Sequence, residues 1–415
     1  MANITIIYVN MKFLFFLSYI VAVLTCGSVI VGPFSLRVYM TVLMVLFLLV
    51  NGNKKTQLNI NKKYIVLYLI CIFALFLSLF ANGGLQEFGF FNRCLAFYLV
   101  CIVSYLAVDY FVKEQSQLHM IIFVFSFIIV FDSVASILQF QNNPIGWGIG
   151  LFFSDASGIE EYATFMDSHD SLVGVSKLTG IFGHPVSNGF MLAVLTPTLM
   201  AGVSENSLIW KKLYFLIVIL LAIVTSLLLQ QRAAFFLLII VIAYHLLRDF
   251  TNNPARILGV VFIFFIALVL VAPFMAEFME SSRFLDTDNS SRQSVWQGGL
   301  EVFKQNILFG DIIQYNKRSE LSAHNLFVSC LAYSGLIGFI PFMLLYCKTI
   351  LDSLRLMFLG DTFTRVFSYS VLISMGMGLF HNTSYFTGEA IIFIVLALMF
   401  KSKIISQRKN VGSTR

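Results

Sequence analysis

His324 and Asn325 stand together in 322-SAHN-325, after a long polar stretch and at the foot of an apolar run that continues through Phe339. Other polar residues hold the same kind of place. Arg232 interrupts two apolar runs in the tight turn 230-QQR-232, with little room to escape into a solvated loop. Arg37, Arg93 and His184 begin apolar runs, His381-Asn382 precedes one, and Arg292 opens the stretch 292-RQSVWQGGLEVFKQNILFG-310. The start of a helix carries free N–H groups and the positive end of its dipole. Such ends favour anions, phosphates included. Each residue has a plainer alternative: a boundary arginine that snorkels, a histidine that caps its helix, or, for Arg292, a solvated loop charge.

The elements that must position these residues are set by composition. Of 415 residues, 59% are hydrophobic and only 12% charged, against about half and about a quarter in soluble domains. Nearly uncharged runs recur along the chain, each long enough for a hydrocarbon core of about 30 Å. The fold class expected is an all-α polytopic membrane protein forming one integral domain over 1–415. A barrel would show alternating ten-residue segments instead. The run from Phe13 to Val31 exceeds a typical signal h-region and lacks a small-residue cleavage site, so it reads as a retained first helix. Twelve spans are expected, at 12–31, 36–50, 64–81, 91–112, 118–140, 184–203, 211–229, 232–248, 256–276, 324–348, 363–380 and 387–402.

Charge orients them. The side holding both termini carries 18 of the 27 Lys and Arg residues, and the other side nine. The positive-inside rule puts both termini in the cytoplasm. The net charge of +6 follows from this asymmetry and calls for no nucleic acid. Two long loops, 141–183 and 277–323, fall outside. In the second, Trp296, Leu300, Phe303 and Ile307 share one helical face, which predicts a short amphipathic helix lying on or over the membrane protein. The six cysteines lie in or beside apolar runs without a CxxC pair, which suits packing.

Asp132, in 131-FDSVAS-136, is an intramembrane carboxylate in the outer half of its span. Such groups face a cavity or a partner, and the role of structural partner to a buried Arg is favoured over that of a base. Glu389 raises the same question. The triplet 286-DTD-288 matches a metal–nucleotide-sugar pattern but falls outside, where nucleotide sugars are absent. The cluster 167-DSHD-170 reads as a polar loop rather than a cation site.

Taken in order, 180-GIFGHPVSNGFMLAVL-195, 230-QQRAAFFLL-238, 292-RQSVWQGGLEVFKQNILFG-310 and 322-SAHNLFVSCLAYSGLIGF-339 resemble the O-antigen polymerase and ligase family. The shared pattern is Arg, a spaced Trp, a short helix ending in Gly, a variable stretch, His-Asn, then Gly-Leu-Ile-Gly. Asp311-Ile312 departs from it, since a second Gly is usual after Gly310. The resemblance implies a GT-C-like membrane glycosyltransferase that works by inverting transfer without a metal or other cofactor. It implies the outer face of the bacterial inner membrane, where undecaprenyl-diphosphate-linked glycans are donor and acceptor. A chain-length regulator and a flippase are the implied protein partners. Arg232, with Arg292 as second candidate, is assigned to diphosphate binding, because guanidinium makes forked phosphate contacts. His324 is assigned to the acceptor hydroxyl or to the diphosphate. Asn325 orients His324 or binds sugar, and His184, Arg93 and His381 complete the candidate substrate-binding set.

Polymerase is favoured over O-antigen ligase, which differs in using lipid A-core as acceptor, and over transfer of glycan to protein. A twelve-helix secondary transporter belongs to another class. That fold favours a long cytoplasmic link between its sixfold halves, whereas the link here is only 204–210.

Overall fold

Hydrocarbon offers no partners to a peptide bond, so an apolar run satisfies its N–H and C=O groups within itself, as a helix. The computed structural model describes residues 11–27, 29–31, 34–51, 62–83, 88–141, 143–153, 178–229, 231–250, 290–317, 325–379 and 389–412. In chain order the helices are α1 (Met11–Thr25), α2 (Leu36–Asn51), α3 (Lys62–Ala81), α4 (Phe88–Phe111), α5 (Gln115–Phe140), α6 (Pro144–Phe153), α7 (Pro185–Leu195), α8 (Leu199–Glu205), α9 (Ile209–Leu228), α10 (Arg232–Phe250), α11 (Ser290–Gln305), α12 (Ile312–Lys317), α13 (Leu326–Leu359), α14 (Thr362–Met377) and α15 (Ala390–Gly412). A two-residue antiparallel ladder, Ile30–Val31 with Phe34–Ser35, joins α1 to α2.

Helices occupy every expected span except 256–276, which lies outside the described residues. Among the described residues, six helical stretches are long and apolar enough to cross a membrane, and five shorter helices are apolar. The chain is therefore a multi-pass helical membrane protein. The first helix ends at Thr25, short of the expected Val31, because the chain turns into the ladder. α6 lies within the stretch expected as a long loop, and the positions of 286-DTD-288 and 167-DSHD-170 lie outside the described residues.

A large apolar core joins most of the helices, with Phe16, Tyr19, Phe125, Phe190, Phe342 and Phe367 fully buried, and a small second cluster of Val302, Tyr315 and Ala332 seats α11. Cys71, Cys101 and Cys330 are buried within it. Charged groups gather at one end of the bundle. Lys401 of α15 pairs with Asp109 of α4, both buried. Lys348 pairs with Asp352 at 2.7 Å, and Tyr64 of α3 donates to the same carboxylate at 2.8 Å. Arg248, in the last turn of α10, donates to the carbonyls of Met357 and Phe358.

The expected continuous span 324–348 is not what forms. α13 breaks at Gly335, whose φ of 56° and ψ of −157° lie where only glycine is at ease. The Phe327 ring sits 6.3 Å from Phe342 and 5.2 Å from Tyr346. In a straight helix, residues 327 and 346 would be about 28 Å apart. The segment 326–334 therefore folds back beside 336–346, and only 336–359 runs the length of the bundle.

The break is closed by the turn after α11. Leu336 and Ile337 donate to the carbonyls of Ile307 and Leu308, and Asp311 donates to that of Ala332. Ser78 of α3 takes the Tyr333 carbonyl at 2.6 Å, and Asn82 takes that of Gly310 at 2.8 Å. Gly310 (φ 63°) meets Gly335 backbone to backbone, so a Cβ on Gly310 would lie 2.7 Å from the Gly335 nitrogen. A buried backbone group left unpaired costs about 1–3 kcal/mol, which is why the 307–311 turn and the break form as a unit.

Candidate functional site

Four helix ends converge around the end of α14. Asn325 caps the folded-back segment: its Oδ1 accepts from the N–H groups of Phe327 (3.0 Å) and Val328 (3.2 Å), as a good N-cap does. Its Nδ2 donates to the Leu379 carbonyl, and Leu326 N–H donates to the Gly378 carbonyl at 2.9 Å. The start of α13 is thus tied to the end of α14. The Asn325 carboxamide is engaged in capping α13 and in tying its start to Leu379. Because 326–334 is reversed, its N-terminus points into the bundle, beside Gly378, rather than outward.

Two more helix starts share this end. Gly376 of α14 faces Leu237 of α10; a Cβ on Gly376 would lie 3.1 and 3.2 Å from the Leu237 methyl carbons. Arg232 begins α10 five residues earlier, about 7.5 Å along the axis. Gly189 of α7 lies against Gln231 and Ala234, so α7 and α10 start side by side. His184 is the N-cap of α7: its exposed ring accepts from Val186 N–H through Nδ1 at 3.2 Å. That bond makes Nδ1 the acceptor, and the capping alternative describes its observed contact.

The lead-in to α7 is pinned from below by a buried polar network. Asp132 Oδ1 accepts from Ile181 N–H at 2.9 Å. With the Asn188 amide turned so that its NH2 faces Asp132, it donates at 2.7 Å, and its oxygen accepts from Ser136 and Gly180. Gln139 accepts from the N–H groups of Thr179 and Gly180 at 3.0 Å and donates to the Gly146 carbonyl. The partners of Asp132 are a backbone N–H and an amide rather than the expected buried Arg, because the turn before α7 leaves its own N–H groups to be paired; Asp132 fixes the turn that carries His184. Asp132→Leu is expected to destabilise the protein by about 2–4 kcal/mol, from the lost hydrogen bonds and the stranded Ile181 N–H and Asn188 amide. Asp132→Asn retains an acceptor and should lose less than half of that. Thermal unfolding in detergent checks the order.

The remaining candidates fall as follows. Arg292 lies in the first turn of α11, which packs against the folded-back part of α13 through Val302 and Ala332. Arg93 lies on α4, which packs on α2 and α15 rather than on α7 or α10. The side chains of Arg232, Arg292 and Arg93 are outside the described set, and so are His324 and His381 entirely. Arg37 and Glu389, far apart in the chain, lie close enough to act on each other electrostatically. Sequence reading singled out both residues but not their pairing.

Residues 216–343 match the O-antigen ligase family. The match bears out the resemblance read from the motifs. It runs from α9 to Met343 in α13 and takes in Arg232, Arg292, His324 and Asn325. His184, Arg93 and His381 lie beyond its ends. No curated protein matches the chain. For a chain with an O-antigen ligase match and many apolar helices, glycan transfer at a membrane is the activity class indicated, and lipopolysaccharide biosynthesis the setting.

Proposed function

We propose that the chain polymerises undecaprenyl-diphosphate-linked oligosaccharide repeats into O-antigen or capsule-type polysaccharide. The observation that supports this best is that the starts of the two helices carrying Arg232 and Asn325, two positions inside the family match, both lie beside the end of α14. In this reading the protein has twelve spans, lies in the bacterial inner membrane with both termini cytoplasmic, and works at the periplasmic face. The loops 141–183 and 277–323 flank a cleft for the growing glycan. A flippase supplies the lipid-linked repeats, and a chain-length regulator acts on the polymer.

The acceptor hydroxyl oxygen attacks the anomeric carbon of the donor as the bond to the diphosphate oxygen breaks. The electron pair leaves with the diphosphate, the configuration inverts, and His324 takes the hydroxyl proton. Charge develops on the departing diphosphate, where a fixed guanidinium has most effect. Arg232 fills that role, with Arg292 as second ligand. His184, Arg93 and His381 bind the glycan or the second diphosphate. No metal is required, since the cations are supplied by the chain.

The ligase reading keeps the same chemistry with lipid A-core as acceptor, and the family match fits it as well as it fits the polymerase. Deleting the gene separates the two. Loss of a polymerase leaves a single repeat on core. Loss of a ligase leaves bare core together with lipid-linked polymer. An unchanged lipopolysaccharide ladder and capsule would sink both.

A further inference from the structure

The helix α11 presents three different faces. Gly298, Gly299 and Val302 are buried, and Val302 packs with Ala332 and Tyr315. Gln297, Glu301, Lys304 and Gln305 are exposed on a polar face. Between these lies an apolar stripe. Trp296 and Leu300 are 39% and 37% exposed, Phe303 is half-buried one turn on, and Ile307 and Leu308 in the following turn are 50% and 57% exposed. The expected apolar face thus exists, but the two-glycine face, not the apolar one, seats the helix on the protein.

That stripe does not end at the turn. Ile337 N–H donates to the Leu308 carbonyl, and from Ile337 an exposed stripe continues down α13 through Ile340, Leu344 and Leu351. These are the outward residues of a helix long and apolar enough to cross a membrane. The neighbouring α3 fixes the depth. Its 20 residues, about 30 Å long, run from the Lys348–Asp352 level, where Tyr64 bonds, to Gly310, where Asn82 bonds. The turn after α11 therefore sits at the far end of a bilayer-crossing helix.

We propose that the acyl chains of the distal leaflet cover the stripe of Leu300, Phe303, Ile307 and Leu308, with Trp296 at its rim. The helix α11 is then an interfacial helix wedged between protein, lipid and water. Aromatic residues favour this level of a bilayer, and an interfacial helix with an apolar and a charged face fits it. The inference does not depend on the glycosyl-transfer reading.

The test uses the full chain in phospholipid vesicles. Trp147→Phe with Trp210→Phe leaves Trp296 as the sole tryptophan. Its emission is expected at short wavelength and to be largely lost when acyl-brominated phosphatidylcholine replaces the ordinary lipid. Short-wavelength emission that bromine leaves intact would mean burial in protein, and long-wavelength emission quenched by iodide would mean water; either overturns the proposal. If the double variant folds poorly, nitroxide labels at Leu300→Cys and Glu301→Cys in the otherwise native chain, read against the unsubstituted chain, serve instead. Oxygen should relax the first more than a nickel chelate does, and the chelate should relax the second more. Equal chelate access at both positions overturns the inference.

Discussion

Gly335→Val is expected to remove most folded protein from the membrane. The backbone at Gly335 lies in a region essentially reserved for glycine, at a cost of about 1–3 kcal/mol for any other residue. A side chain there would also meet the Leu308 carbonyl and the Gly310 nitrogen. The chain can escape only by opening the break, which strands the N–H groups of Leu336 and Ile337, each at about 1–3 kcal/mol. Together these approach the whole stability of an ordinary domain, about 5–15 kcal/mol. Gly148→Ala is the matched control. It lies within α6 with open space around the added carbon, and should be neutral or stabilising by up to about 1 kcal/mol. Detergent-extracted yield and thermal midpoint by size-exclusion fluorescence check the pair. Wild-type values for Gly335→Val would mean that α13 does not reverse there.

Arg232→Ala and His324→Ala are each expected to abolish long surface polysaccharide while protein levels hold. Losing a donor aimed at developing charge typically costs about 10²–10³ in rate, and losing a general base about 10²–10⁴. Either loss is enough to leave single repeats. Arg232→Lys keeps the charge but not the fork, so it should retain partial chain growth. Asn325→Ala should behave differently. Its carboxamide caps a helix, so about 0.5–2 kcal/mol of stability should go, and activity should recover on cooling. Lipopolysaccharide gels with an immunoblot of the protein separate these outcomes. Normal chain lengths in both Arg232→Ala and His324→Ala would remove the assigned roles.

Apolar runs with few charges were enough to place the helices, because hydrocarbon leaves the backbone no other choice. They could not show the reversal in α13. The hydrophobic pattern continues across Gly335, and the groups that close the break come from 307–311 and from Ser78 and Asn82, remote in sequence. The inward face of α11 was hidden for another reason: Gly298 and Gly299 carry no hydropathy signal, so attention falls on Trp296 and Leu300. Asp132 could be recognised as needing a partner. Nothing local named Ile181 N–H and Asn188 as those partners. For the candidate site, residue types and order brought Arg232, Arg292, His324 and Asn325 together, and the family match encloses the same four. The cap made by Asn325 depends on the break at Gly335 and on the end of α14, neither of which is marked in the local sequence.

The most direct test of polymerisation is reconstitution of the purified chain in vesicles containing undecaprenyl-diphosphate-linked repeat units as the only glycan, with a metal chelator present. Polymerisation predicts a ladder of lipid-linked oligomers, with one free undecaprenyl diphosphate released for each linkage formed. No product from repeat units alone, with transfer appearing only once lipid A-core is added, would contradict it.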